Sequence, residues 1–280
     1  MRVLPLFLAV SLVAGDYATD IAKFRADREK SLVRDDGWTT VVGLSWLKEG
    51  ENRLGSDANA DVPVPASLPA QLGALTLRSG HVRFQPAPGV KLTAKELKPD
   101  TDVVALGTVK FFVIQRGEGP RAKFGVRVKD SDAATRKEFS HLSWYPVDPG
   151  WRIVAKYTPW EKPHVISFDT VIAGLQEQDS SPGRISFTRD GKDFSLEPAA
   201  DGSIVFRDQT TGKATYGAGR FLDINLPKNL KTAASIVLDF NEAYNPPCVF
   251  TAYATCPLPP PQNRLTLSVT AGELMYNGHH

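Results

Sequence analysis

The sequence is poor in the residue types on which much enzyme chemistry depends. Its 280 residues include two cysteines and five histidines, and two of those histidines end the chain. No H-E-x-x-H, G-x-S-x-G or phosphate-loop motif is present, and each of these motifs has a geometry that the chemistry requires. The absences argue against a zinc peptidase, an esterase-type serine hydrolase and a P-loop nucleotide-binding protein.

Strong charge and strong metal signals are also missing. Lys and Arg number 33 against 31 Asp and Glu, for a formal charge of +2, so a nucleic-acid partner has little electrostatic support. The series Asp57, Asn59, Asp61 resembles the start of a calcium loop. However, Val62 and Leu68 stand where that loop needs Gly and Glu. The sequence therefore predicts neither a metal site nor a cofactor.

The only long apolar run stands at the start of the chain. Arg2 precedes an apolar stretch over residues 3–13, and Ala14 and Gly15 follow it. This is the layout of a secretory signal peptide, and the run is too short to span a bilayer. The pattern predicts a signal peptide over residues 1–15 and an exported protein, periplasmic or secreted. A buried first strand or a frayed terminus is the alternative.

Hydrophobic periodicity then predicts the domain organisation. Tyr17, Ile21, Phe24 and Arg28 share one helical face, which predicts an amphipathic helix within an N-terminal extension over 16–60. Residues 61–280 read as one β-rich domain, with hairpin turns at 79–80, 117–120 and 190–191. The predicted fold is mainly β, an antiparallel β-barrel or sandwich with an N-terminal amphipathic helix.

The most distinctive stretch is residues 239–264, which hold both cysteines and six prolines. Proline fixes φ and removes a backbone donor, so the stretch is neither helix interior nor central strand. We expect an ordered loop between two late strands, the second over 264–273. Polar side chains cluster where the first strand ends, and they are Asp239, Asn241, Glu242, Tyr244 and Asn245.

Two arginines complete the predicted site. Arg220 follows the glycine-rich turn Y-G-A-G-R, and Arg127 lies on a predicted strand. We expect a small polar or anionic ligand to bind beside the 239–264 loop. The predicted ligand-binding residues are Arg127, Arg220, Asp239, Asn241, Tyr244 and Asn245.

Other interpretations of the same residues stay open. A hydrolase or lyase would use Asp239 or Glu242 for acid/base chemistry. A non-catalytic scaffold would use every polar residue structurally, with Arg220 paired to an acid. In that interpretation Arg264 forms an ion pair with Glu273 or Asp239, and the loop side chains satisfy its backbone.

Cys248 and Cys256 allow two states. In an exported protein they can form a disulfide, which for a loop of about nine residues contributes roughly 2.5 kcal/mol. The alternative is two buried thiols that behave as small hydrophobic side chains. A metal site has less support, because no C-x-x-C spacing or neighbouring histidine is present.

Several sequence blocks resemble a bacterial family catalogued as a domain of unknown function, DUF 1684. The blocks are WLKEGENRLGSD (46–57), FGVRVKD (124–130), WYPVDP (144–149), YGAGRFL (216–222), LDFNEAYNPPC (238–248), CPLPPPQNRL (256–265) and AGE (271–273). The resemblance implies a β-rich single domain with the same polar and cysteine positions. It implies no particular activity, substrate or cofactor.

Overall fold

The computed structural model describes residues 8–278, so the first seven residues of the predicted signal peptide lie outside it. The two α-helices are α1 (Leu8–Leu32) and α2 (Ala134–Lys137). The strands are β1 (Val41–Trp46), β2 (Gly50–Gly55), β3 (Val62–Pro63), β4 (Gly73–Arg78), β5 (His81–Pro86), β6 (Lys95–Leu97), β7 (Val103–Leu106), β8 (Val109–Arg116), β9 (Lys123–Asp130), β10 (Arg152–Asp169), β11 (Gln176–Arg189), β12 (Lys192–Leu196), β13 (Ser203–Phe206), β14 (Arg220–Asp223) and β15 (Ala234–Asp239). Short 3₁₀ turns cover Trp38–Thr40, Gly119–Arg121, Pro149–Trp151, Phe240–Glu242, Pro247–Val249 and Pro261–Asn263.

The described chain divides into two compact units. The first contains residues 8–31, 141–249 and 256–277, and the second contains 32–140, 250–255 and 278. Both are built mainly from β-strands, which confirms the predicted fold class. Within residues 8–278, no helix is both long and apolar enough to cross a bilayer.

The second unit is a sandwich of two sheets. One sheet has the order β1-β9-β8-β7, and the other has the order β3-β2-β4-β5-β6 with a parallel β2–β3 pair at its edge. Their inward side chains form one buried core, in which Phe84 and Phe111 meet edge-on with ring centroids 5.4 Å apart. Burial of alternate residues on two facing sheets is the driving force for this arrangement.

The first unit packs a hairpin against a four-stranded antiparallel sheet. The sheet order is β12-β11-β10-β15, and the hairpin pairs β13 with β14. Tyr157 and Leu238 from the sheet share a buried core with Phe206 and Leu222 from the hairpin. Phe240 is fully buried in the same core, so the turn that follows β15 is anchored from inside the unit.

Local sequence signals predicted several elements well. Helix α1 buries Ile21 and half-buries Tyr17 and Phe24, as its apolar face requires. The hairpin β11–β12 turns at Asp190 and Gly191, both at positive φ (51° and 71°). Two consecutive positive φ values are the signature of the turn type that matches strand twist.

The predicted strand over 264–273 is wrong. This segment forms only isolated bridges, Arg207 to Arg264 and Trp144 to Glu273. Its carbonyl groups at Val269 and Ala271 accept hydrogen bonds from the Arg220 guanidinium instead of from a neighbouring strand. The start of the segment is hydrogen-bonded to the backbone of Arg207 and Gln209, and the Arg220 side chain replaces a strand partner only at its end.

Candidate functional site

The Arg220 guanidinium is built into the interior of the first unit. It is 1% exposed, and its Nη2 donates to Asp208 Oδ2 at 2.9 Å and to the Val269 carbonyl at 3.0 Å. Gly219 precedes it at φ 93°, where a Cβ would lie 2.5 Å from the Phe206 carbonyl oxygen. The Y-G-A-G-R turn thus inserts Arg220 into the core, and the predicted pairing with an acid is observed.

Arg127 belongs to the second unit. Its side chain is 5% exposed, and its guanidinium carbon lies 5.1 Å from the centre of the Trp38 ring. The other predicted ligand-binding residues all belong to the first unit.

Asp239 is the centre of a hydrogen-bonded network at the end of β15. Its carboxylate accepts from the Tyr17 hydroxyl at 2.9 Å and from the Asn241 backbone N–H at 3.1 Å. Arg152 Nε lies 3.6 Å from Asp239 Oδ2. Burial, followed by contact with Asp239, raises the pKa of Tyr17 well above its usual range, so the hydroxyl keeps the proton that it donates.

Asn241 links this network to the backbone around residue 148. Its Oδ1 accepts from the Asp148 N–H at 3.0 Å, and its Nδ2 donates to the Asp148 carbonyl at 2.8 Å. The same Nδ2 lies 2.9 Å from the Tyr17 hydroxyl oxygen. Because Asn241 is fully buried and uses both ends of its amide, it positions Tyr17 and Asp239 and has little left for a ligand.

Tyr244 and Asn245 belong to a neighbouring network. The guanidinium of Arg28 stacks 4.7 Å over the Tyr244 ring and donates to the Asn245 carbonyl at 2.8 Å. Asn245 Nδ2 donates to Glu273 Oε1 at 2.6 Å, and Arg28 Nε lies 3.6 Å from Glu273 Oε2. Burial raises the pKa of Glu273, against the opposing charge of Arg28. These contacts fasten α1 to the end of the chain.

The predicted Arg264 ion pair is wrong for both proposed partners. Glu273 is paired with Arg28 and Asp239 with Arg152, while Arg264 Nε donates to the Pro259 carbonyl at 3.3 Å. Proximity along the chain favoured Arg264, but the two arginines that reach these acids come from α1 and from the start of β10.

Glu242 differs from the other polar residues of the loop. Its side chain is half-buried, and no hydrogen bond to its carboxyl group comes from any described residue. Burial raises the pKa of Glu242, and the negative charge of Asp239 adds to that effect. The positive charge of Arg152 opposes the rise in pKa, and the charges of Asp20 and Asp223 add to it. Glu242 is therefore a carboxyl group that receives no hydrogen bond within residues 8–278.

We predict that Glu242→Gln stabilises the protein at neutral pH by up to about 1 kcal/mol. A carboxyl group whose pKa is raised on folding destabilises the native state above that pKa. The penalty disappears once the pH falls below the ordinary carboxyl value. The advantage of the variant should therefore vanish at acid pH, as measured by denaturant unfolding across a pH series. The exposed Glu161→Gln is the control, and an equal effect there would contradict the prediction.

The two cysteines are present as thiols. Cys248 is half-buried and Cys256 is buried, and the backbone N–H of Cys248 donates to Cys256 Sγ at 3.2 Å. Of the two states that the sequence left open, the structure contains the reduced one. Among the described residues, no group of three His, Cys, Asp or Glu side chains is arranged to hold a metal ion.

An open groove of about 550 Å³ lies on the sheet of the first unit. It is lined by residues of β10 and β11 and by the start of β15, among them Lys156, Ser186, Thr188 and Ser235. None of the predicted site residues lines this groove. It is a place on the first unit where a small molecule has room.

Tyr17 and Arg152 are the site residues that the sequence reasoning missed. Tyr17 was assigned to the apolar face of α1, and Arg152 carried no signal of its own. Tyr17 is 222 positions from Asp239 in the sequence, and no short-range pattern links residues that far apart. The aromatic character of Tyr17 on an otherwise charged helix was the one available hint.

Comparison with known proteins supports the family and gives no activity. A family model described as "Protein of unknown function (DUF1684)" matches residues 137–274, so the blocks at 46–57 and 124–130 lie outside the match. No curated protein matches the chain.

A solution NMR structure of an uncharacterized protein from Haloarcula marismortui is similar to part of the chain. It is 32% identical over 51% of this chain and 81% of its own, with a TM-score of 0.43. The region that the family model matches, residues 137–274, contains the Asp239–Glu242 cluster, both cysteines and Glu273. Through this region the chain belongs to the DUF1684 family.

Proposed function

We propose that the protein binds a small polar ligand at the face formed by Tyr17, Arg152, Asp239 and Glu242. The observation that carries the proposal is the Glu242 carboxyl group, which is half-buried and receives no hydrogen bond from the described residues. Its carboxyl oxygens are not among the buried polar atoms that lack a partner, so they are open to solvent and to a ligand. A carboxyl group that lowers the stability of the protein and lies near other carboxylates is typical of a ligand-binding or catalytic site.

The charge of this face indicates the class of ligand. The negative charges of Asp239, Asp20 and Asp223 all act on Glu242, and the positive charge of Arg152 opposes them. Arg220 is occupied by Asp208, so it does not offset these acids. The surroundings favour a molecule that donates hydrogen bonds, through hydroxyl or amino groups, over an anion.

A thermal-shift panel tests this proposal. We expect sugars, polyols or amino compounds to raise the melting temperature. A ligand present at 100 times its Kd adds about 2.7 kcal/mol to the free energy of unfolding. Glu242→Gln should abolish the shift, and Glu161→Gln should keep it. A shift that survives Glu242→Gln and is lost in Lys156→Met would place the ligand in the groove on the sheet and overturn the proposal.

A hydrolase or lyase is the second candidate, and one observation favours it. Asp239 is hydrogen-bonded and ion-paired, while neighbouring Glu242 has a raised pKa. Two adjacent carboxyl groups in different environments are the arrangement that acid/base catalysis uses. Compounds that bind should then be assayed for turnover, and activity that survives the double change Asp239→Asn and Glu242→Gln would exclude this candidate.

We also propose export, on the composition of residues 1–15. Cleavage after Gly15 leaves Asp16 as the first residue and retains Tyr17, so the proposed site is complete in the processed chain. N-terminal sequencing of protein recovered outside the cytoplasm should begin at Asp16, and an uncleaved Met1 there would contradict the proposal.

A further inference from the structure

We propose that Cys248 and Cys256 form a reactive dithiol, which small disulfide compounds oxidise reversibly to an intramolecular disulfide. The site lies in the first unit, and its third member is Tyr216. It makes no use of Glu242 or its neighbours, so the outcome is independent of the ligand-binding proposal.

The Cys256 sulfur atom lies against the backbone of Cys248, whose N–H donates to it at 3.2 Å. The Cys256 side chain also acts on the Cys248 thiol and lowers its pKa. The Tyr216 hydroxyl donates to the Cys248 carbonyl oxygen at 3.5 Å. Two cysteines packed this closely need little backbone movement to form a bond.

The backbone fixes both cysteines. Cys248 is in the 3₁₀ turn Pro247–Val249, which begins two residues after the buried Asn245, whose amide is hydrogen-bonded to Glu273. On the other side, the Cys256 carbonyl accepts from the Val171 N–H at 3.0 Å, and Pro257 forms a bridge with Thr170. The pair is therefore positioned before any oxidant arrives, which is an advantage for a reaction between the two sulfur atoms.

Exposure assigns the two thiols different roles. Cys248 is half-buried and can be reached from solvent, whereas Cys256 is 5% exposed. Cys248 is therefore the sulfur that an external disulfide meets first, and Cys256 is the one that completes the reaction.

The environment of Cys248 also favours the reactive thiolate. Hydrogen bonds from the Cys256 thiol and then from the Tyr216 hydroxyl lower the pKa of Cys248, although burial opposes them. Burial raises the pKa of Tyr216 itself, so its hydroxyl stays protonated and able to donate. A thiol made more acidic by fixed donors is more often the thiolate, which is the form that attacks a disulfide.

The chemistry balances with a small disulfide as the oxidant. The Cys248 thiolate attacks one sulfur of the compound, so that a mixed disulfide forms and one thiolate leaves. The Cys256 thiolate then attacks the Cys248 sulfur and displaces the second thiolate. The protein loses two electrons and two protons, and the small disulfide becomes two small thiols.

The test uses the full chain and oxidised glutathione as the probe. We expect mass spectrometry to show the loss of two hydrogen atoms and peptide mapping to link Cys248 to Cys256. The melting temperature should rise by about 5 °C, as a short closed loop allows, and dithiothreitol should reverse every change. Retention of both thiols, or disulfide-linked dimers, would overturn the proposal.

Single variants separate the two roles. Cys256→Ser should accumulate one glutathione on Cys248, because the second step is blocked, while Cys248→Ser should gain almost none on the buried Cys256. Equal amounts of glutathione adduct on both variants would contradict the assignment of Cys248 as the first thiol to react. Each variant is informative by itself, so the test survives if one of them fails to fold.

Tyr216 is assigned as a positioning residue. Tyr216→Phe should slow the first step about threefold at neutral pH and move its pH profile to higher pH, with the rate recovering in alkali. A variant that is only less stable would react faster in the first step, since Cys248 would become more exposed, and that result would remove Tyr216 from the proposal.

Discussion

Arg220→Met is expected to destabilise the protein by about 3–5 kcal/mol. Arg220 and Asp208 are an ion pair at 2.9 Å, and both side chains are wholly buried. Removing the guanidinium leaves the Asp208 carboxylate without its cation in a site from which water is excluded. It also removes the donor that serves the carbonyl groups of Val269 and Ala271, and an unsatisfied buried acceptor adds its own penalty.

Arg152→Met is the matched control for this change. Arg152 also forms an ion pair, 3.6 Å from Asp239, but its side chain is 52% exposed. Exposed pairs contribute about 1 kcal/mol or less. Guanidinium-induced unfolding followed by tryptophan fluorescence would compare the two variants, and equal losses would show that the burial of Arg220 does not govern its contribution.

A double variant distinguishes the ion pair from simple loss of packing. Arg220→Met combined with Asp208→Leu should be more stable than Arg220→Met alone, because no charge is then left unpaired in the interior. Recovery should be partial, since Asp208 Oδ1 also accepts from the Thr210 N–H at 2.7 Å. A double variant less stable than the single one would mean that Asp208 is anchored mainly by its other contacts.

Phe240→Ala is the second change for which we expect a large effect, a loss of about 3–5 kcal/mol. The Phe240 ring is fully buried and lies 5.6 Å from Phe206 and 5.8 Å from both Trp151 and Phe187, measured between ring centroids. Truncation leaves a cavity among three aromatic rings that cannot all close on it. The loss of stability is the sum of the hydrophobic transfer free energy of the ring and the free-energy cost of the cavity.

Phe194→Ala is the control for Phe240→Ala. Phe194 stacks on Phe187 at 5.6 Å but is only partly buried, so the same truncation should cost less. Phe240 also lies between Asp239 and Asn241 in the sequence, and we expect its loss to weaken the contact between Asn241 and Asp148. Amide hydrogen exchange at Asp148 would report this, and unchanged protection there would contradict it.

The elements that were predicted correctly depend on neighbouring residues. The turn at Asp190 and Gly191 and the helical face of Tyr17, Ile21 and Phe24 are encoded within a few positions. The irregular loop was likewise predictable, because prolines exclude regular structure wherever they occur. The incorrect strand over 264–273 had a suitable alternating pattern, but the segment pairs with the backbone of residues 207–209 only at its start. The buried Arg220 serves the carbonyl groups of Val269 and Ala271.

The candidate site was predictable only in part. The polar cluster from Asp239 to Asn245 was identified from its composition. The structure shows which of its side chains are hydrogen-bonded within the protein and which are not. Both ends of the Asn241 amide bind the backbone of Asp148, and the Asn245 amide nitrogen donates to Glu273, while Glu242 receives no hydrogen bond from the described residues. This distinction depends on which side chains arrive from elsewhere in the chain, and composition does not contain that information.

By itself, the sequence determined a mainly β protein with an N-terminal helix and an ordered, proline-rich loop that carries the polar cluster. Tertiary structure alone decided that Arg220 belongs to the core and that Tyr17 and Arg152 belong to the site. It also decided that Glu242 has no hydrogen-bond donor among the described residues. The reason is physical: backbone preferences act over a few residues, whereas the pairing and burial of a charged group depend on segments that only folding brings together.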